Sequence, residues 1–229
     1  MIYLYRKEGM LMNETAGRII HIAQENEPVP GCTVSKQLYR QQDYSMFFFS
    51  MAGGTEISAE SYQYPKIFIM YEGEMEIFDT KKRSWQIKTG ECFVLPQNIP
   101  IGTRTQNRCV YVEINFRKET IMNEILKAGE VFKLGELLPY QDGKIINMDL
   151  VNEDKIKFVL MSFDEGTGLS EHAAPGEALV FALDGEATIG YEGKEYTLRA
   201  GETFKFDKMG KHSVTAVKKF KMALMLILD

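Results

Sequence analysis

"FDEGTGLSEHA" (163–173), set against "MAGGTEISAES" (51–61), decides how this chain is read. At a shift of 112 residues Gly54 meets Gly166, Thr55 meets Thr167 and Ser58 meets Ser170. The same shift places Leu38 on Leu150, Ser50 on Ser162, Gly73 on Gly185, Glu74 on Glu186 and Ile77 on Ile189. One residue is then gained in the first copy, and a shift of 111 aligns "TGECFVLP" (89–96) with "AGETFKFD" (200–207). Gly90, Glu91 and Phe93 now meet Gly201, Glu202 and Phe204. A single slip confined to a loop is the mark of a duplicated domain.

Each copy has the pattern of β structure. "YSMFFFSM" (44–51) and "KIKFVLMSF" (155–163) are short runs of aromatic and β-branched residues that end at glycine-containing turns. "KIFIMYEGEMEIF" (66–78) and "EALVFALDGEATIGY" (177–191) are expected to be paired strands around Glu-Gly and Asp-Gly turns. "GYEGKEYTLRAGETFKF" (190–206) adds a hairpin with its tip at Glu192-Gly193. Many short strands with turns at close intervals point to an all-β sandwich or barrel, here two in tandem.

Composition sets outer bounds. The 229 residues suffice for two domains, each with its own core, and 45% apolar with 26% charged residues is ordinary for a globular protein. A net charge of −5 argues against nucleic-acid or anionic-membrane binding, which need a basic surface. The small clusters Lys81–Arg83 and Lys218–Lys221 fit a hairpin tip and a solvated strand face. No run of about 20 apolar residues is present to span a membrane, and Arg6, Lys7 and Glu8 interrupt any signal-peptide core. The expected location is therefore the cytoplasm, where Cys32, Cys92 and Cys109, lacking metal-type spacing, are buried small side chains or free thiols.

The division that follows is an N-terminal arm over 1–29, a first domain over 30–116, a linker over 117–144 and a second domain over 145–229. In the linker, Ile121, Met122, Ile125 and Leu126 share a helical face and Gly129 is a stop, which predicts a short helix over 119–129. His21, among Ile19, Ile20 and Ile22, is expected to be structural. Exposed strand edges predict a homodimer.

The stretch "GLSEHAAPGEALVFALDGE" (168–186) followed by "GETFKFDKMGKHSV" (201–214) resembles the two motifs of the cupin superfamily. The first motif carries a glycine, His-x-His, a glutamate and a further glycine; the second carries a glycine, a turn and a histidine. With the repeat, the whole chain looks like a bicupin, which implies two tandem jelly-roll β-barrels, each with an internal pocket. The family's metal-binding form holds one divalent ion, such as Zn, Ni, Mn or Fe, through three histidines and the glutamate. Carried across, His172 matches the first ligand and His212 the last, while Ala174 and Ala178 replace the second histidine and the glutamate. Glu177 lies one position early, and strand alternation turns such a residue to the opposite face unless a bulge intervenes. In the first copy the four positions fall on Glu60, Tyr62, Lys66 and Ile101, a set without the usual metal ligands.

His172 and His212, two of only three histidines, thus mark a candidate site in the second barrel. They can hold a metal with water or Glu177, line a pocket for a small organic ligand, or be a solvated relic pair. Alternation predicts that Ala178, Val180 and Ala182 line the same pocket. Glu60, Tyr62, Tyr64 and Lys66 could form a different polar pocket in the first copy, but the reading taken is a solvent-facing barrel mouth. The function expected is small-molecule binding in the second barrel. The alternative is a metal-dependent cupin enzyme of dioxygenase, isomerase, decarboxylase or aminohydrolase type, which the lost ligands weigh against. A cupin-sensor transcription factor is disfavoured because no DNA-binding domain follows the last strand, and a storage role because the chain is short.

Overall fold

The computed structural model describes residues 12–228, and the duplication is visible in its strand register. Thr33–Arg40, Tyr44–Met51 and Cys109–Phe116 in the first copy become Ile145–Asn152, Ile156–Phe163 and Phe220–Ile227 in the second. The irregularities repeat too. Register shifts at Gln37/Tyr39, Ile57/Glu60 and Met70/Glu72 recur at Asp149/Val151, Leu169/His172 and Ala182/Asp184. Bulges set local twist and re-aim side chains, so their shared positions give the two copies the same strand geometry.

Each copy is an antiparallel barrel of two facing sheets. In the second, Thr203–Phe206, Glu177–Asp184, Phe220–Ile227, Ile156–Phe163 and Ile145–Asn152 lie side by side. They face a four-stranded sheet ordered Gly168–Ala173, Lys211–Ala216, Glu186–Tyr191, Lys194–Arg199. In the first copy the fourteen-residue strand Lys66–Asp79 belongs to both faces. The expected hairpins at Glu72-Gly73 and Asp184-Gly185 are therefore corners instead. The chain bends from one sheet into the other and its two halves do not pair. Gly73 (φ 81°) and Gly185 (φ 73°) make the bend where a Cβ would collide with the carbonyls of Arg108 and Lys219. The hairpin at Glu192-Gly193 forms as expected, with positive φ at both residues and Tyr191 opposite Lys194.

Strand alternation divides the apolar residues among three cores. Ala178, Val180, Ala182, Phe204, Phe206 and Met222 fill the second barrel, and Phe68, Met70, Phe93 and Tyr111 fill the first. The opposite faces of the same strands, among them Phe48, Val112, Phe158, Leu179, Phe181 and Met225, form one core between the barrels.

The arm and linker behave differently from the sequence expectation. The helix over 119–129 does not form; Ile121 is 88% exposed, and the segment's backbone groups bond to the barrels. Asn123 N–H donates to Leu150 O, the Asn123 carboxamide accepts from Ile125 N–H, and Gly129 N–H donates to Val94 O. A side chain that competes for backbone partners disfavours helix. A 3₁₀ turn, Leu134–Glu136, is the helical element within 117–144. Val131–Phe132 pairs with Cys92–Val94 of the first barrel, and Ile19–Ile20 pairs with Thr203–Phe206 of the second. These pairings are equivalent under the repeat, since Ile19 lies opposite Phe204 and Val131 opposite Phe93. The N-terminal segment therefore completes the second barrel, while the linker completes the first. Residues 1–11 of the arm lie outside the described residues.

Candidate functional site

The four-stranded sheet brings the two motif histidines face to face. His172 and His212 are register partners on adjacent strands, with ring centroids 4.3 Å apart. Each ring is fixed by its own strand: His172 Nδ1 lies 2.8 Å from Ser170 O, and His212 Nδ1 lies 2.8 Å from Gly210 O. A carbonyl only accepts, so both Nδ1 atoms carry the proton and both Nε2 atoms keep a lone pair. His212 is buried and stacks on Phe206 at 4.0 Å, whereas His172 is exposed. Burial, with the neighbouring His172 adding to it, holds the His212 imidazole below its ordinary pKa despite the Gly210 contact.

The other residues expected here divide between the two faces of their strand, with Ala178 opposite the Phe206 on which His212 stacks. Ala178, Val180 and Ala182 face into the second barrel, but they are buried to 4% exposure or less among Phe204, Phe206 and Met222. Glu177 points to the other face of its strand, where its carboxylate accepts Met12 N–H at 2.7 Å and pairs with Lys205 Nζ at 2.6 Å. Lys205 also reaches Asp207, so Glu177 belongs to a buried ionic network tying the N-terminal segment to the barrel. No local bulge returns it to the histidines.

That donor set does not fit a resident metal ion. Two imidazoles remain of four expected ligands, alanines stand at the other two positions, and the nearby carboxylate is turned away and neutralised by Lys205. Among the described residues no cluster of three or more His, Cys, Asp or Glu side chains could hold a metal. Protein metal sites ordinarily supply three or four ligands. Burial pushes the Cys92 thiol up to about 12 and the Cys109 thiol up to about 11, so both stay protonated, while Cys32 is a free thiol at the surface.

The open site lies in the first barrel. A cleft of about 500 Å³ opens at its mouth, with Phe47, Phe49 and Phe116 as apolar wall and Tyr62, Lys66 and Glu113 as polar floor. Lys66 and Glu113 come from adjacent antiparallel strands, and their side chains pair at 3.1 Å while only 16% and 10% exposed. The Lys66 ammonium also lies 3.7 Å from the centroid of the Tyr62 ring, whose hydroxyl donates to Glu60 at 3.1 Å. Burial, then the Glu60 carboxylate, raises the Tyr62 phenol well above its ordinary range, so it stays protonated and donating. Phe49 stacks on Tyr111 beneath, centroids 5.1 Å apart.

The expected barrel mouth is thus an open cleft whose floor holds a largely buried ion pair. Tyr62 and Lys66 were singled out by the motif comparison; Glu113 and Asn115 were not. Their signal was present in "CVYVEINF" (109–116), where both share the inward face with Tyr111 in an otherwise apolar strand. The equivalent residues of the second copy are Leu224 and Leu226, and Lys66 is matched by Ala178. Duplication gave two cups, one apolar at these inward positions and the other polar, with the cleft at its mouth.

A further cleft of about 590 Å³ lies between the barrels, with Tyr71, Ala182, Asp184 and Lys221 on its wall. Among the described residues no helix is long and apolar enough to cross a membrane.

The sequence model of the cupin domain matches residues 159–228. A cupin 2 conserved barrel domain protein from Leptotrichia buccalis superposes with a TM-score of 0.82 at 26% identity, over 95% of this chain and 100% of that one. Protein Ylba from E. coli gives a TM-score of 0.58 at 8% identity, covering 94% and 95% of the two chains. A salicylate 1,2-dioxygenase from Pseudaminobacter salicylatoxidans gives 0.58 at 9% identity, covering 84% and 76%. These last two likenesses show the fold alone. No curated protein matches the chain.

Proposed function

We propose that this chain, whose residues 159–228 match the cupin domain and whose length superposes on a cupin barrel protein, is a small-molecule-binding protein whose ligand site is the cleft of the first barrel. One observation carries this reading. The inward positions held by Leu224, Leu226 and Ala178 in the second copy are Glu113, Asn115 and Lys66 in the first, where a cleft of about 500 Å³ opens above the largely buried Lys66–Glu113 pair. Ligand sites are mostly apolar concavities with a few convergent polar groups, and an ion pair held out of water under aromatic walls fits that description. Filling the cleft tests it. Ser61→Trp places an indole at the lip, and a set of small aromatic fragments screened by ligand-observed NMR should lose contact with the variant. Fragments that bind both proteins equally place the site elsewhere.

A second reading concerns the histidine pair. With both Nδ1 atoms tied to backbone carbonyls, the two Nε2 atoms form a preset pair of acceptors at the edge of the second barrel. They suit a hydrogen-bond donor on an organic ligand. A catalytic metal would need at least a third protein ligand, which Ala174 and Ala178 do not provide, so no reaction step is assigned to the pair.

A further inference from the structure

Three features of the first-barrel cleft bear on the chemistry of its occupant. Two cations, Lys66 and Arg117, line it with one carboxylate, Glu113, while a second, Glu60, accepts from the Tyr62 hydroxyl at its edge. The Lys66 ammonium has three N–H donors, of which Glu113 takes one while the Tyr62 ring covers another side. Asn115 also lines the cleft and is only 7% exposed, and its side-chain oxygen is buried without a hydrogen-bond partner. A buried acceptor left without a donor is uncommon and is satisfied by whatever else enters the site.

We infer that the cleft takes a small organic acid, a carboxylate with an O–H or N–H donor beside it, and that the Lys66 ammonium supplies the positive charge without a metal ion. The inference rests on the reading of this cleft as the ligand site. Lys66 occupies the position equivalent to Ala178, where the motif comparison places a metal-binding carboxylate. An ammonium there cannot ligate a divalent ion and repels one, while its own charge is fixed by Glu113 and the Tyr62 face. The ligand carboxylate accepts from the remaining Lys66 donors and from Arg117 at the rim. The neighbouring O–H or N–H donates to Asn115 Oδ1, and the apolar remainder lies against Phe47 and Phe49. The aromatic lining alone would also suit a cationic ligand. Lys66 already covers the Tyr62 face, however, and its ammonium would repel a second cation there.

The test uses the full chain dialysed against EDTA and two fluorescent probes of nearly equal shape. One is 2-aminobenzoate, with a carboxylate beside an N–H donor; the other is its neutral counterpart 2-aminobenzamide. Saturable binding of the acid is expected, with no change on adding Mn²⁺ or Zn²⁺. The amide should bind about ten- to a hundredfold more weakly, the ratio of a charged to a neutral hydrogen-bonding partner. Lys66→Met should weaken the acid by a similar factor, and Lys66→Arg should retain most of the affinity. The probe comparison on the unaltered protein stands even where Lys66→Met leaves Glu113 unpaired and fails to fold. Acid and amide binding equally well, or acid binding only after metal is added, overturns the inference. Should the amide alone bind and be lost in Ser61→Trp, the cleft remains the ligand site and the acid assignment fails. If neither probe binds at millimolar concentration, the inference is likewise overturned, and the fragment screen on Ser61→Trp decides the cleft reading separately.

Discussion

Replacing Phe181 by alanine asks whether the two barrels fold as one unit. Phe181 belongs to the second copy by sequence, but it is completely buried in the core between the barrels and its ring lies 6.3 Å from that of Tyr71 in the first copy. Truncating a buried phenylalanine removes its transfer free energy and leaves a cavity, together about 3–5 kcal/mol. A urea m-value of about 3 kcal/mol per molar, the upper range for small proteins, converts this to a midpoint lower by about 1–2 M. The assay has a built-in reporter for the other barrel, because Trp85 is the single tryptophan. It sits on the first-barrel strand Ser84–Lys88 with its ring 5.2 Å from that of Phe93. If the shared core couples the copies, Trp85 fluorescence and far-UV circular dichroism lose their signals together, and both midpoints move by the same amount. A Trp85 transition that stays in place while the dichroism becomes biphasic would refute the reasoning and make each barrel an independent folding unit.

Two further outcomes follow from particular residues. Gly185→Ala should destabilise the protein by about 1–3 kcal/mol from the positive φ alone, and by more from the collision with Lys219 O, as read by thermal denaturation; a neutral result would mean that the corner can relax. His212 titrates below its ordinary value when folded, so between that depressed pKa and about 6.5 the unfolded chain binds the extra proton. Stability is therefore complete above about pH 6.5 and falls as pH drops toward the folded pKa, with a slope of at most ~1.4 kcal/mol per pH unit. His212→Gln should flatten the denaturation midpoint over that window, and an unchanged profile would remove His212 as its source.

Strand periodicity and the internal repeat were enough to read the all-β duplicated architecture, because alternation and turn glycines are local and survive divergence. The family motif was equally legible, and it placed His172 and His212 at equivalent points of two strands that the structure pairs. The Glu177 offset was readable too, since a shift of one residue along a strand reverses the face. Other features depend on partners distant in sequence. The segment around Asn123 has a helical pattern of apolar residues, yet its backbone partners are Leu150 and Val94, which only the folded barrels supply. Asp184-Gly185 has the composition of a hairpin turn, and only the approach of Lys219 makes it a corner. Which cup stays open was likewise a tertiary matter. Ala178 reads as space on a single strand, but Phe204, Phe206 and Met222 from neighbouring strands fill it. Lys66 reads as a solvated rim residue until Glu113, 47 positions away, closes on it from the adjacent strand. A pocket is the volume that several strands leave between them, so the sequence could determine which side chains face inward, and only their packing could decide where room remained.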